Sequence, residues 1–181
     1  MTGPVIRRIA LHEWREVRDL RLRAVADPAA SVAFLTTTAD ELARPDAFWR
    51  ERAAGGAMSD EAAQFVAVDG ERWIGTATVL LRPEGSDDHL GRAVAAPRAD
   101  VVGVFVDKGM RGRGILGQLM DAAARWASER GVDALTLDVH ADNARAQAAY
   151  RRLGFAPTGE TYTSSIGPEL EMRRVRPGTP A

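Results

Sequence analysis

The chain has 181 residues and a mass of 19.5 kDa, is 45% hydrophobic and 27% charged, and carries a formal net charge of -1. That composition describes a globule with enough apolar mass for a core, without the basic excess of a nucleic-acid binder. The absence of cysteine excludes disulfides, thiolate metal sites and cysteine nucleophiles, and the scattered His12, His89 and His140 match no zinc pattern.

No apolar run is long enough to span a bilayer, and the start MTGPVIRRIALHEW has no signal-peptide core, so a cytoplasmic, metal-free protein is expected. Residues 1–175 are predicted to form one domain, and the tail at 176–181 (RPGTPA) to be disordered. Residues 5–9 read as a short strand. Over 13–25, Trp14, Val17, Leu20, Leu22 and Val25 recur at helical spacing, and Asp27-Pro28 ends that helix. Pro45 suits the first turn of the next helix, Phe48 and Trp49 give it an apolar side, and Gly55-Gly56 is expected to stop it.

The pattern then changes to strands. Residues 64–68, the turn Asp69-Gly70 and residues 73–81 predict a hairpin, and the polar stretch 82–98 a loop. Residues 100–106 (DVVGVFV) are almost continuously apolar, as in a strand buried on both faces. A glycine-rich turn at 109–114 leads into a helix whose inner face carries Ile115, Leu119, Met120, Ala123, Trp126 and Ala127, with Gly131 at its end. A buried strand over 134–139 precedes a helix over 144–153, capped by Asn143 and ended by Gly154. Strands over 155–163 and 170–175 follow. The order predicts an α/β fold, a mixed central sheet of about seven strands with helices on both faces.

The chemistry concentrates in VFVDKGMRGRGIL, residues 104–116. A buried strand running into a glycine-rich turn that opens a helix points several backbone N–H groups at one spot, and with the positive end of the helix dipole this suits a di- or polyphosphate. Arg111 and Arg113 add charge. A Walker loop is excluded, because Ile115 follows Gly114 where lysine is required. The string from Gly112 to Gly117 matches a dinucleotide fingerprint, but it follows a hairpin late in the chain, which is the wrong context.

RGRGILGQLM resembles motif A of the GCN5-related N-acetyltransferases (GNAT), Q/R-x-x-G-x-G/A, and NARAQAAYRRLGF is similar to that family's second signature, N-x-x-A-x-x-x-Y-x-x-x-G-F. The two lie in the right order, separated by one helix and one strand. One position departs: Leu116 stands where motif A has Gly or Ala, with Gly117 following. The resemblance implies transfer of an acetyl group from acetyl-CoA to a primary amine by direct attack, on a sheet whose strands 4 and 5 splay apart. It further implies that pantetheine bonds to the backbone of Val104, Phe105 and Val106, with an N–H near Val106 polarising the thioester carbonyl, an effect of roughly 3 kcal/mol. Gly112, Arg113, Gly114, Ile115, Leu116 and Gly117, with Arg111, would hold the pyrophosphate, and Asn143 would bond near the pantetheine arm.

Tyr150 matches the tyrosine that many members use as general acid toward the departing thiolate, and an ordinary phenol pKa of about 10 keeps it protonated at pH 7. Without the motif it would read as a core aromatic alongside Ala146 and Leu153. For the base, Asp138 lies where several members place a glutamate, its shorter side chain favouring a water relay. Asp100 is the second candidate and His140 the third; each also reads as an ordinary strand-end group. The acceptor side is expected from the first two helices, the 82–98 loop and the last hairpin. Asp40, Glu41, Glu84, Asp87 and Asp88 are candidates to attract a cationic amine, Trp14, Trp49 and Trp73 to line a pocket, and Tyr162 to reach the acceptor; acids at a surface and periodic aromatics also read as solvated face and core. The expected acceptor is a small molecule, with a protein N-terminus or lysine as the alternative and a silent acyl-CoA-binding module as the reading from another class. Exposed strand edges at the last hairpin permit a homodimer. Neither nucleic acid nor membrane is expected as a partner.

Overall fold

The computed structural model describes residues 3–88 and 91–175; His89 and the tail at 176–181 lie outside the described residues. Strand β1 (Val5–Arg8) leads through α1 (Trp14–Val25), α2 (Thr38–Leu42) and α3 (Asp46–Met58) to the hairpin of β2 (Ala62–Asp69) and β3 (Arg72–Arg82). Then come β4 (Arg98–Val106), α4 (Ile115–Ser128), β5 (Ala134–His140), α5 (Ala144–Arg152), β6 (Ala156–Ser164) and β7 (Gly167–Val175). The strands form one seven-stranded sheet in the order β1-β2-β3-β4-β5-β7-β6. Every neighbouring pair is antiparallel except β4 and β5. The expected mixed sheet is therefore present.

Alternation along the strands feeds two cores. On one face Val66, Trp73 and Phe105 pack with Val17 and Leu20 of α1 and Trp49 and Ala53 of α3. On the other, Phe65, Ala67, Ile74 and Ala77 meet Ile115, Leu119, Met120 and Trp126 of α4, together with Tyr150 and Phe155. Because both faces are covered, the central strands read as unbroken apolar runs. Trp14, Trp49 and Trp73 belong to the first core, which corrects the expectation that they line a pocket. Trp49 has no exposed surface at all.

Two local features depart from expectation. The short α2 was not anticipated; it is held by a capping box in which the Thr37 side chain accepts from the Asp40 N–H and the Asp40 carboxylate accepts from the Thr37 N–H. Helix α3 also runs straight through Gly55-Gly56 to Met58. The reason is packing: a Cβ on Gly56 would lie 2.9 Å from the Gln64 Cβ and 3.0 Å from the Ile9 Cδ1. Glycine there permits close approach of helix to sheet rather than ending the helix.

The site is created by the way β4 leaves β5. The parallel pairing holds only at Ala99 with Leu135 and Asp100 with Thr136, so the strands diverge toward the C-terminal half of β4. On its other edge β4 carries one extra residue against β3, since Thr76 pairs with Phe105 while Thr78 pairs with Val102. Gly103 sits in this bulge with φ of 61°, a left-handed conformation that favours glycine.

Candidate active site

Where β4 and β5 part, a cleft of about 780 Å³ opens. Its walls include residues 101–106 of β4, Asp138, Val139 and His140 of β5, and the start of α4. At the end of β4 the chain turns through Gly112 and Gly114, with φ of 77° and 76°, and Gly114 is the N-cap of α4. Two left-handed glycines so close together form a concave nest of backbone N–H groups at a helix N-terminus. A Cβ at Gly112 would meet nothing within 4 Å, and at Gly114 only the tip of Gln118 at 3.9 Å. The cradle is open, so the turn fits the pyrophosphate of acetyl-CoA.

Around it the sequence expectations sort unevenly. Gly112, Gly114, Ile115, Leu116 and Gly117 line the cleft, whereas Arg113 is exposed and outside its lining. Leu116 packs in part against the core, and Gly117 is a packing glycine whose Cβ would stand 3.2 Å from Leu153. Arg111 lines the cleft with its charge already engaged: Nη2 bonds Asp27 Oδ2 at 2.6 Å and Nε bonds the Val106 carbonyl at 2.9 Å. Burial opposes ionisation of Asp27, yet hydrogen bonds from the Ala29 N–H and Arg111 outweigh it and hold the carboxyl below its usual range. Arg145 and Arg152 also line the cleft, and Arg152 follows Arg145 by seven residues, two turns of α5. Sequence reading passed over both; the signal was that spacing on the motif helix.

Asn143 does two jobs. Its Oδ1 accepts from the Ala146 N–H at 3.1 Å, capping α5, and its Nδ2 donates to the Val32 carbonyl at 3.1 Å. Together with the bond between Arg111 and Asp27, this ties residues 27–36 to the motif elements, and Ala29, Ala30, Val32, Ala33, Phe34, Leu35 and Thr36 become a wall of the cleft.

Of the acid–base candidates, Tyr150 and Asp138 reach the cleft and Asp100 does not. Tyr150 sits on the inner face of α5, its ring 5.8 Å from that of Phe155. Burial pushes its hydroxyl up to about 12, so it is protonated at neutral pH. Asp100 is buried beside the stretch where β4 and β5 still pair, engaged by Arg98 and 3.7 Å from Arg82. His140 has both ring nitrogens committed. Its Nδ1 accepts from the Asp142 N–H at 3.1 Å, which puts the proton on Nε2 and directs it to the Ile166 carbonyl at 3.0 Å.

The 82–98 loop corrects another expectation. None of its described residues between β3 and β4 lines the cleft; it folds on itself through a bridge between Asp87 and Ala93. Glu84, Asp87 and Asp88 therefore lie outside the cleft wall, as does Asp40, whose carboxylate caps α2. The loop contributes instead through Arg92. Its guanidinium reaches Asp88 at 2.6 Å, Asp138 at 3.1 Å and Glu171 at 3.7 Å, and lies 4.2 Å from the centre of the Tyr162 ring. Tyr162 bonds Asp138, and burial together with that carboxylate pushes its hydroxyl well above the ordinary phenol range. Asp138, Tyr162 and Glu169 thus share one wall of the cleft, and an arginine 46 residues from Asp138 holds the first two in place.

A buried strand, a glycine nest and a strand splay define an acyl-CoA-dependent transferase site. The sequence matches the acetyltransferase (GNAT) family over residues 21–155, and the chain belongs to that family. It is similar to the aminoglycoside N(6')-acetyltransferase type 1 of Salmonella typhimurium, 29% identical over 101 residues that cover 56% of this chain and 67% of that protein. It is also similar to the mycothiol acetyltransferase of Beutenbergia cavernae, 33% identical over 94 residues, 49% of this chain and 32% of that longer protein. In structure it is similar to a GNAT-family acetyltransferase from Streptococcus pneumoniae, with a TM-score of 0.73 at 16% identity, over 96% of this chain and 99% of that one. The protein is an acetyl-CoA-dependent N-acetyltransferase.

Proposed function

We propose that the protein acetylates a primary amine of a small molecule by direct attack in a ternary complex. The observation that carries this reading is a single cleft running from the glycine nest, along β4, to Tyr150 and the wall of Asp138, Tyr162 and Glu169. Acetyl-CoA supplies the thioester whose acyl carbon the amine attacks. The nest at Gly112 and Gly114 takes the pyrophosphate, with Arg145 and Arg152 as further cations at that end. Backbone groups of Val104, Phe105 and Val106, freed from β5 by the splay, align the acyl arm. Asp138, oriented by Arg92 and Tyr162, draws the ammonium form of the substrate and accepts its proton, directly or through water. As the carbon–nitrogen bond forms and the carbon–sulfur bond breaks, the Tyr150 hydroxyl gives its proton to sulfur. A group kept protonated to about 12 suits that step.

A small acceptor is favoured by the similarity to enzymes named for aminoglycoside and mycothiol acetylation. The wall formed by residues 29–36 and pinned through Asn143 supports the same choice, since it narrows the acceptor side. The same reading puts the enzyme in the cytoplasm of a bacterium, in contact with neither nucleic acid nor membrane. Its outer strand β6, exposed along residues 156–160, is the edge on which a second copy would pair.

The test is CoA release with a panel of small primary amines and, in parallel, short peptides. Saturable release with small amines is expected, and Tyr150→Phe should lower kcat by about 100-fold or more while acetyl-CoA still binds. A higher kcat/KM for peptide N-termini would replace the small-molecule reading. Unchanged turnover in Tyr150→Phe would remove the general-acid role.

A further inference from the structure

Arg52 has no role in the chemistry above and no motif marks it. It lies in the middle of α3 and lines the cleft, and it also lines a small void shared with Val17, Leu20, Gln64, Thr76, Thr78 and Gly103. Its Nη2 stands 3.9 Å from the point a Cβ on Gly103 would occupy, so the guanidinium lies against the bulge of β4. Among the described residues it has no hydrogen-bond acceptor and no ion-pair partner. Glu41, the carboxylate whose charge acts on it, is engaged elsewhere: its Oε1 accepts from Arg21 Nε at 2.7 Å and from Thr36 Oγ1 at 2.6 Å. Burial and the neighbouring charges of Arg21 and Arg44 weaken the hold of Arg52 on its proton, with Glu41 acting the other way.

Arg52 is half-buried on the cleft wall, so its unpaired charge is available to an oxyanion that enters the cleft. A ligand in the cleft can supply the acceptor that the described residues do not. The phosphates of acetyl-CoA belong at the glycine nest, and from Gly103 to the end of the strand at Val106 alone is about 10 Å. The acetyl group carries no charge. Arg52 also approaches from the α1 and α3 side of the sheet, beside Phe34, Leu35 and Thr36, opposite the helix that carries the nest.

Resting on the acetyl-transfer reading above, we propose that the acceptor amine itself carries an oxyanion, a carboxylate or a phosphate, which Arg52 binds through its planar fork. The acceptor is then bipolar, its amine drawn to the wall of Asp138 and Glu169 and its oxyanion to Arg52. Selection follows from both charges. An amine that covers Arg52 without offering it an acceptor binds less well.

Matched pairs test this: alanine against alaninamide for a carboxylate, and phosphoethanolamine against ethanolamine for a phosphate, each followed by CoA release. The wild type should prefer one of the oxyanion-bearing members by about 30-fold or more in kcat/KM, the pair concerned identifying the anion. In Arg52→Gln that preference should collapse toward unity, with Arg52→Lys, which keeps charge without the fork, in between. Acetyl-CoA titration and melting temperature show that the variants are folded. Preference for the amine without an oxyanion, or a preference that survives Arg52→Gln, would overturn the inference. So would an Arg52-dependent preference for succinyl-CoA over acetyl-CoA, which would move the anion to the acyl group. Calorimetric titration with N-acetylalanine and with phosphoethanolamine in the presence of CoA separates the two readings. No binding of either to the wild type overturns the oxyanion site, whereas Arg52-dependent binding without acetylation of any amine upholds the site and overturns acetyl transfer.

Discussion

Replacing Asn143 by alanine separates the two hydrogen bonds this side chain makes. The first loss is the cap on α5, the 3.1 Å bond accepted from the Ala146 N–H, which costs about 1 kcal/mol. The second is the 3.1 Å bond donated to the Val32 carbonyl, which is partly exposed and recovers some hydration, so about 0.5–1 kcal/mol is added. The sum is about 1.5–2 kcal/mol. For a chain of this size that corresponds to a fall in Tm of roughly 4–6 °C. Asn143→Asp keeps an acceptor for the cap, placed favourably at a helix N-terminus, but cannot donate to Val32. Its Tm should therefore fall between those of the wild type and Asn143→Ala. Both variants release the wall at residues 29–36, so both should raise the acceptor KM by a similar factor. Thermal unfolding and steady-state kinetics measured side by side decide the matter. An aspartate variant as unstable as the alanine variant would refute the capping argument. A large loss of acetyl-CoA affinity at unchanged Tm would refute the structural role and return Asn143 to the pantetheine arm.

Adjacent glycines in α3 should respond with opposite signs: Gly55→Ala, whose Cβ meets nothing within 4 Å, should stabilise by about 0.5–1 kcal/mol, and Gly56→Ala should destabilise by about 1–3 kcal/mol. Urea denaturation reads both, and shifts of the same sign would contradict the close approach to β2. At alkaline pH the buried Tyr150 hydroxyl, raised from 10 to about 12, adds stability that is complete below pH 10 and is lost as pH rises through 12. The loss is roughly 3 kcal/mol, and Tyr150→Phe should lack it when the two stability–pH curves are compared. At the acid end burial opposes ionisation of Glu41, but hydrogen bonds from Thr36 and Arg21 prevail and hold its carboxyl below the usual value. Its contribution is therefore present above about pH 4.5 and disappears as pH falls below it, so wild type and Glu41→Gln should converge in acid. A gap that widens there would show the pair to be unfavourable.

What the sequence determined by itself is whatever the chain encodes over a few neighbouring residues. Gly112 and Gly114 have to sit close together to form a nest, and Asn143 and Tyr150 sit on one turn-and-helix segment, so these cleft-lining residues could be picked out directly. The strands and the helix-covered mixed sheet were legible for a related reason, since alternation and apolar runs report burial of one face or two; the order of strands across the sheet was not. Only tertiary structure decided the acceptor side. Its wall joins residues 29–36 to α5 through Asn143 and Arg111, Arg92 reaches Asp138 across 46 residues, and Arg52 meets Gly103 from a helix on the far side of the hairpin. Local pattern carries no trace of such pairs. The same limit explains the misreading of Gly55-Gly56, where backbone propensity argues for a helix end and the contact of Gly56 with Gln64 and Ile9 argues for continuation. Asp138 and Asp100 show it most directly. In sequence they are alike, two strand aspartates near the motifs. The splay that begins just beyond Asp100 leaves one on the cleft and the other sealed with Arg98 in the paired part of the sheet, because where two strands separate depends on everything packed against them.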